Sequence, residues 1–145
     1  MAPQTGYLGS QLRLAVLRLS RRLRQEAVGD ITPSQLSALT AVERHGEVTL
    51  GELAAIERIA PPSMTRIAAR LEENGFVERH VDPTDRRVAR LAASPSGRQL
   101  LETIRNRRDA YLTSKLQNFT SEERGILERA VPLLERLAAT EDGNS

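Results

Sequence analysis

The amino-acid sequence predicts a mainly α-helical fold carrying one small β-hairpin, and three observations lead there. The apolar inventory is aliphatic, with aromatic residues only 3% of the chain, which favours helices packed through aliphatic seams over a sandwich or barrel. Helix-opening punctuation recurs, as "ITPSQ", "TLGE", "APPS", "SPSG" and "TSEE", each ahead of a run with helical periodicity. One stretch, "FVERHVDPTDRRVARLAA", instead leans to β structure on both sides of an Asp-Pro-Thr-Asp turn.

The elements follow in chain order. Residues 8–28 place Leu8, Leu12, Ala15, Val16, Leu19 and Leu23 on one helical stripe, with Arg13, Arg21 and Arg24 opposite. A second helix opens with Thr32 as N-cap and Pro33 at its first position, and stops at Gly46. Thr49 and Glu52 form a capping box for a short third helix, with a stripe at Leu50, Leu53 and Ile56. In "PPSMTRIAARLEENG", Pro61 and Pro62 fit a first turn and Gly75 a C-terminal stop. Met64, Ile67, Ala68 and Leu71 are its buried stripe, leaving Ser63, Thr65, Arg66 and Arg70 away from it.

Val81 and Val88 then flank the hairpin loop. Ser94 and Pro95 cap a long helix over 95–119 that runs through Leu101, Ile104, Tyr111 and Leu112. A further capping box, Thr120 with Glu123, opens the last helix, expected to carry Ile126, Leu127, Ala130, Leu134 and Leu137 inward. Pro132 lies within it and should remove a backbone bond and bend it. The tail, 141–145, is expected to fray.

Composition narrows the function. The chain of 145 residues has net charge +2, and Lys115 is the sole lysine among 21 Lys and Arg. Arginine suits bidentate contacts to phosphate and to guanine. With no cysteine, disulfides, thiolate metal sites and Cys nucleophiles are excluded. His45 and His80, the only histidines, have no carboxylates at metal-ligand spacing, so no metal or cofactor is expected. Glu72–Glu73 and Glu122–Glu123 are adjacent on helices and diverge, which unsuits them as acid/base pairs. No Ser-His-Asp grouping, P-loop or dinucleotide fingerprint occurs, so catalysis is not expected. No signal-peptide core and no run of membrane-spanning length is present, which points to a cytoplasmic chain without a membrane partner.

Two short helices joined by a tight turn, the second followed by a β-hairpin, make a winged helix-turn-helix. It would occupy residues 31–93, with residues 1–30 and 94–140 as a helical dimerisation region. A helix entering the major groove needs an apolar side for its own domain and short polar or Arg side chains on the other. Ser63 and Thr65 permit close approach, and Arg66 reaches a guanine edge or a phosphate. The helix N-terminus, with free N–H groups, favours the phosphate backbone. Arg86 at the hairpin tip suits the negative potential of the adjacent minor groove.

In the order "PPSMTR…LEENGFVER…DPTDRR…L…SPSG", within roughly residues 10–138, the chain resembles the MarR family (multiple-antibiotic-resistance regulators). The resemblance implies a homodimer with interlocked terminal helices, operator binding that usually represses, and release by a small ligand. By position, the family's recognition helix falls on Pro61 to Asn74, with DNA contacts from Pro62, Ser63, Thr65, Arg66 and Arg70. Its wing falls on Arg79 to Leu91, where Asp82, Asp85 and Arg87 match the Asp-x-Arg-Asp-x-Arg pattern and Thr84 replaces the first arginine. Asp82 and Asp85 are expected to shape the wing, Asp85 pairing with Arg87; Arg86 and Arg87 are its expected DNA contacts, either being able to enter the groove and Arg86 the one expected to. Arg58 stands at a turn position where many relatives place Gly, which argues against a left-handed turn there.

The expected function is thus sequence-specific binding of double-stranded DNA by a transcriptional regulator, on a pseudo-palindromic operator. A ligand would be small, amphipathic, and anionic or aromatic. It would occupy the crevice where residues 8–28 and the start of the 95–119 helix meet the winged domain. The alternatives are a winged-helix protein-interaction module and a non-specific architectural DNA binder. The polar Ser63–Thr65–Arg66 surface, suited to base edges, argues against both.

Overall fold

The computed structural model describes residues 2–26 and 31–139, so the frayed tail expected at 141–145 lies outside the described residues. In chain order the elements are α1 (Ala2–Gln25), α2 (Pro33–His45), β1 (Val48–Thr49), α3 (Leu50–Glu57), α4 (Pro61–Glu73), β2 (Val77–Val81), β3 (Ala89–Ala93), α5 (Pro95–Leu116) and α6 (Ser121–Ala138). Two compact units result, Met1–Arg108 and Asp109–Ser145, the boundary falling within α5.

Local signals account for the helix starts. Thr32, Thr49 and Thr120 each accept the N–H of the residue three further on, and Gln35, Glu52 and Glu123 return the bond to the cap's own N–H. Each such cap stabilises its helix by about 1 kcal/mol. Gly46, at φ 82, and Gly75, at φ 75, take the positive backbone angles expected of stops after α2 and α4.

The core of the first unit is aliphatic. Leu39 and Val42 of α2, Leu53 of α3, Met64 and Leu71 of α4 and Leu91 of β3 are essentially inaccessible to solvent. Burying each such side chain contributes roughly 1.5–3 kcal/mol before chain entropy is charged against it. Helices α2, α3 and α4 thereby pack on one another and on a three-stranded antiparallel sheet ordered β1-β3-β2. Val77 to Val81 pair with Ala93 to Ala89, and Val48 pairs with Leu91. Strand β1 is absent from the sequence reading because two residues cannot display an alternation.

Ser94 and Gly97 fix the exit from β3 into α5. The Ser94 Oγ accepts the Gly97 N–H at 3.0 Å and donates to the Gly75 carbonyl. A Cβ on Gly97 would lie 2.1 Å from the Phe76 carbonyl oxygen, so only glycine lets α5 approach the backbone just before β2 this closely.

Four expectations need correction. Helix α1 begins at Ala2 rather than near residue 8, and α5 ends at Leu116 rather than 119. Ile56 is 42% exposed instead of joining Leu53 in the core. Residues Ile126, Leu127, Leu134 and Leu137 of α6 do not point inward, for they are 40–72% exposed and α6 buries no residue within the chain. Helical periodicity shows that a face is apolar but not what covers it. Leu8, Val16 and Leu19 of α1 are likewise about half exposed.

Candidate nucleic-acid interface

The turn between α3 and α4 sets where α4 points. Arg58 sits in the left-handed region, at φ 53 and ψ 44, overturning the expectation that a side chain there prevents such a turn. Its N–H bonds to the Ala55 carbonyl at 3.3 Å, and the next N–H, of Ile59, bonds to the Ala54 carbonyl at 3.0 Å. Closing α3 in this way returns Ile59 to the core, a packing gain set against about 1 kcal/mol or more of backbone strain.

Helix α4 divides as the sequence predicts. Met64, Ala68 and Leu71 face the core, whereas Pro62, Thr65, Arg66 and Arg70 are exposed and Ser63 is half-buried. The exposed residues are not chemically equivalent. Thr65 Oγ1 donates to the Pro61 carbonyl at 2.9 Å, which leaves its lone pairs and methyl group outward. Arg70 pairs with Glu73 at 3.4 Å, and Glu72 pairs with Arg79 of β2 at 3.2 Å. The Arg66 guanidinium has no hydrogen-bond or ion-pair partner among the described residues.

The wing loop is organised by carboxylates. Asp82 is buried and accepts the Thr84 hydroxyl at 2.6 Å, the Thr84 N–H at 2.8 Å, the Arg90 Nε–H at 3.0 Å and the Asp85 N–H at 3.2 Å. These donors, the Thr84 hydroxyl foremost, hold its carboxyl far below the usual carboxylate range. Asp85 accepts both the N–H and the Nε–H of Arg87 at 3.1 Å, and the Arg87 side chain lowers its pKa. The Asp82 N–H to Val88 carbonyl bond, at 2.9 Å, closes the loop.

Two wing guanidiniums, those of Arg87 and Arg90, are therefore turned back onto Asp85 and Asp82. Arg86 is exposed and, among the described residues, has no partner. Thr84 and Arg90 are loop-forming residues that the sequence reading missed. An Asx-turn at Asp-Pro-Thr was legible for Thr84, whereas Arg90 required the strand register. A further link was also missed: His80 of β2 meets Glu47, in the loop before β1, at 2.8 Å and Glu78 at 3.5 Å. The Glu47 hydrogen bond, ahead of the other causes, raises the His80 pKa.

The first unit also carries an open cleft of about 590 Å³, with Ile31, Leu36 and Ile56 as apolar lining, Arg24, Arg44 and Arg108 as cations and Glu57 as a carboxylate. Its α5 contribution, Arg108, comes from the second half of that helix rather than from its start. Arg108 Nε donates to the Leu23 carbonyl near the end of α1 at 3.1 Å. Among the described residues no helix is long and apolar enough to cross a membrane.

Comparison with known proteins agrees with this geometry. The MarR family model matches residues 31–89, from the residue before the Thr32 cap to the start of β3. An uncharacterised HTH-type transcriptional regulator of Mycobacterium leprae is 42% identical, over 92% of this chain and 94% of its own. The HTH-type transcriptional repressor MdtR of Bacillus subtilis is 28% identical over 80% and 78% respectively. The crystal structure of a transcriptional regulator protein from Pseudomonas aeruginosa matches with a TM-score of 0.86 and 38% identity, covering 95% of this chain and 98% of that one. The family match covers the winged unit and the similarity to HTH-type regulators runs through the terminal helices as well, so the chain belongs to the MarR family of DNA-binding transcriptional regulators.

Proposed function

We propose that the protein is a cytoplasmic repressor that binds a pseudo-palindromic duplex operator as a homodimer, without catalytic activity. Helix α4 reads base edges in the major groove through Pro62, Ser63, Thr65 and Arg66, with Arg70 at the groove wall. The wing grips the flanking minor groove through Arg86. The observation that carries this reading is the unequal use of the arginines. Arg87 and Arg90 are tied to Asp85 and Asp82 and fix the loop, while Arg66 and Arg86 keep their guanidiniums available. A fixed loop presenting one uncommitted arginine suits a narrow groove of negative potential.

The homodimer is supported by the apolar surface that the chain leaves open on α1 and α6, including Leu8, Ile126 and Leu137. A self-complementary interface covers such surface with one symmetry operation. The cleft bearing Arg24, Arg44 and Arg108 is suited to a small amphipathic anion, whose aromatic or aliphatic body would lie on Leu36 and Ile56. Repression by the Bacillus subtilis relative MdtR supports the sign of regulation. Sequencing the genomic fragments retained by the purified protein tests the reading. The expected result is an enriched motif with two inverted halves, and retention without any enriched motif would contradict it.

A further inference from the structure

Helix α4 opens in a way that weakens it as an anion site. Pro61 and Pro62 occupy the first helical positions and carry no N–H. The Met64 N–H is already bonded to the Ala60 carbonyl at 3.0 Å. Of the four N–H groups that a helix start leaves open, Pro61 and Pro62 remove two, so only those of Ala60 and Ser63 remain to meet a phosphate. A guanidinium beside this end of the helix would replace the charge that the two missing donors forgo.

Arg58 is placed to do so. It lies in the turn between α3 and α4, next to the N-terminal end of α4, and its side chain is exposed. No hydrogen bond or ion pair holds its guanidinium among the described residues. It is also the one non-glycine residue at positive φ among the described residues, at 53°. Glycine would close the same turn without strain, so the turn itself gives no reason for an arginine. We propose that Arg58 is a phosphate-contacting residue that stands in for the N–H donors Pro61 and Pro62 remove, a gain in DNA attachment set against backbone strain.

This inference rests on the DNA-binding reading above and predicts opposite signs for two measurements on one variant. Arg58→Gly relieves the left-handed strain and should raise Tm, which also shows that the variant folds. The same substitution should weaken binding to a mixed-sequence duplex of about 40 base pairs by roughly tenfold. Its log Kd against log salt slope should fall by about 0.9, one phosphate's worth. Arg58→Lys keeps the charge and should retain most of the slope. An Arg58→Gly chain with higher Tm but unchanged affinity and slope would overturn the contact. A Tm that does not rise would overturn the trade of strain for attachment. A wild-type chain that binds no duplex at all would remove the DNA reading itself, and Arg58's part with it.

Discussion

The Arg90 Nε–H donates to Asp82 Oδ2 across 3.0 Å, joining the middle strand of the sheet to the residue at which the wing loop begins. The same carboxylate holds Thr84 and Asp85 through its other oxygen, so one side chain sets both the anchor and the turn of the wing. Asp82→Ala removes all of these acceptors at once. It should speed amide exchange at Thr84 and Asp85 and reduce DNA affinity about as much as Arg86→Ala does, because a loosened loop no longer aims that arginine. Exchange measured by NMR, beside binding by anisotropy, checks this. Unchanged exchange at Thr84 would show that the loop holds its form without Asp82.

The Glu47–His80 link makes a pH prediction. His80 has its pKa raised above its ordinary 6.5 in the folded chain, with the Glu47 hydrogen bond as the leading cause. A raised histidine stabilises the fold fully below the unfolded value, and that contribution is lost as pH rises through the folded value. The Tm difference between wild type and His80→Gln should therefore be larger at about pH 5.5 than at about pH 8, where the imidazole is neutral in both states. Glu47→Gln should reduce the same difference. A Tm gap that is flat across this range would contradict the ion pair.

The open face of α6 predicts the oligomeric state. Leu137 is 72% exposed and Ile126 53% exposed, and in the proposed homodimer a carboxylate at either position would be buried against the second copy. Ile126→Asp with Leu137→Asp should turn a dimer into a monomer at micromolar concentration in sedimentation, with the helical circular-dichroism signal of the winged unit retained. DNA affinity should fall steeply, since two recognition helices no longer act together. A double variant that still sediments as a dimer would place the interface elsewhere.

Much of this was legible in the sequence, for reasons visible at particular residues. Thr49 with Glu52 and Thr120 with Glu123 announce helix starts because their bonds are local, three residues apart. The division of α4 into a buried and an exposed face was legible because Met64, Ala68 and Leu71 fall on one stripe. What escaped is non-local. Arg90 meets Asp82, and His80 meets Glu47 33 residues away, only once the strands are in register. Arg58 was misjudged for a different reason: propensity disfavours an arginine in the left-handed region, and the packing of Ile59 outweighed it. The exposure of α6 escaped because periodicity marks an apolar face without saying whether the chain covers it.

The cleft predicts coupling between ligand and DNA. Aromatic carboxylates such as benzoate should bind the free protein and lower DNA affinity, and saturating DNA should weaken carboxylate binding by the same factor. A tenfold effect corresponds to about 1.4 kcal/mol in each direction. Arg108→Ala, which deletes one lining cation and its bond to the Leu23 carbonyl, should reduce carboxylate affinity. Calorimetric titration with and without DNA decides. Equal carboxylate affinity in both titrations would exclude this mode of release.

The division of labour between α4 and the wing is tested most directly by measuring affinity for the selected operator and for a mixed-sequence duplex, each across a range of salt, for wild type, Arg66→Ala and Arg86→Ala. Arg66→Ala should cost roughly 1–3 kcal/mol on the operator and little on the mixed duplex, so that the ratio between them collapses. Arg86→Ala should lower both affinities, reduce the salt slope and remove the operator's preference for A·T-rich flanks, where the minor groove is narrow. If both substitutions leave operator affinity, ratio and slope at wild-type values, the reading surface assigned to α4 and the wing is wrong.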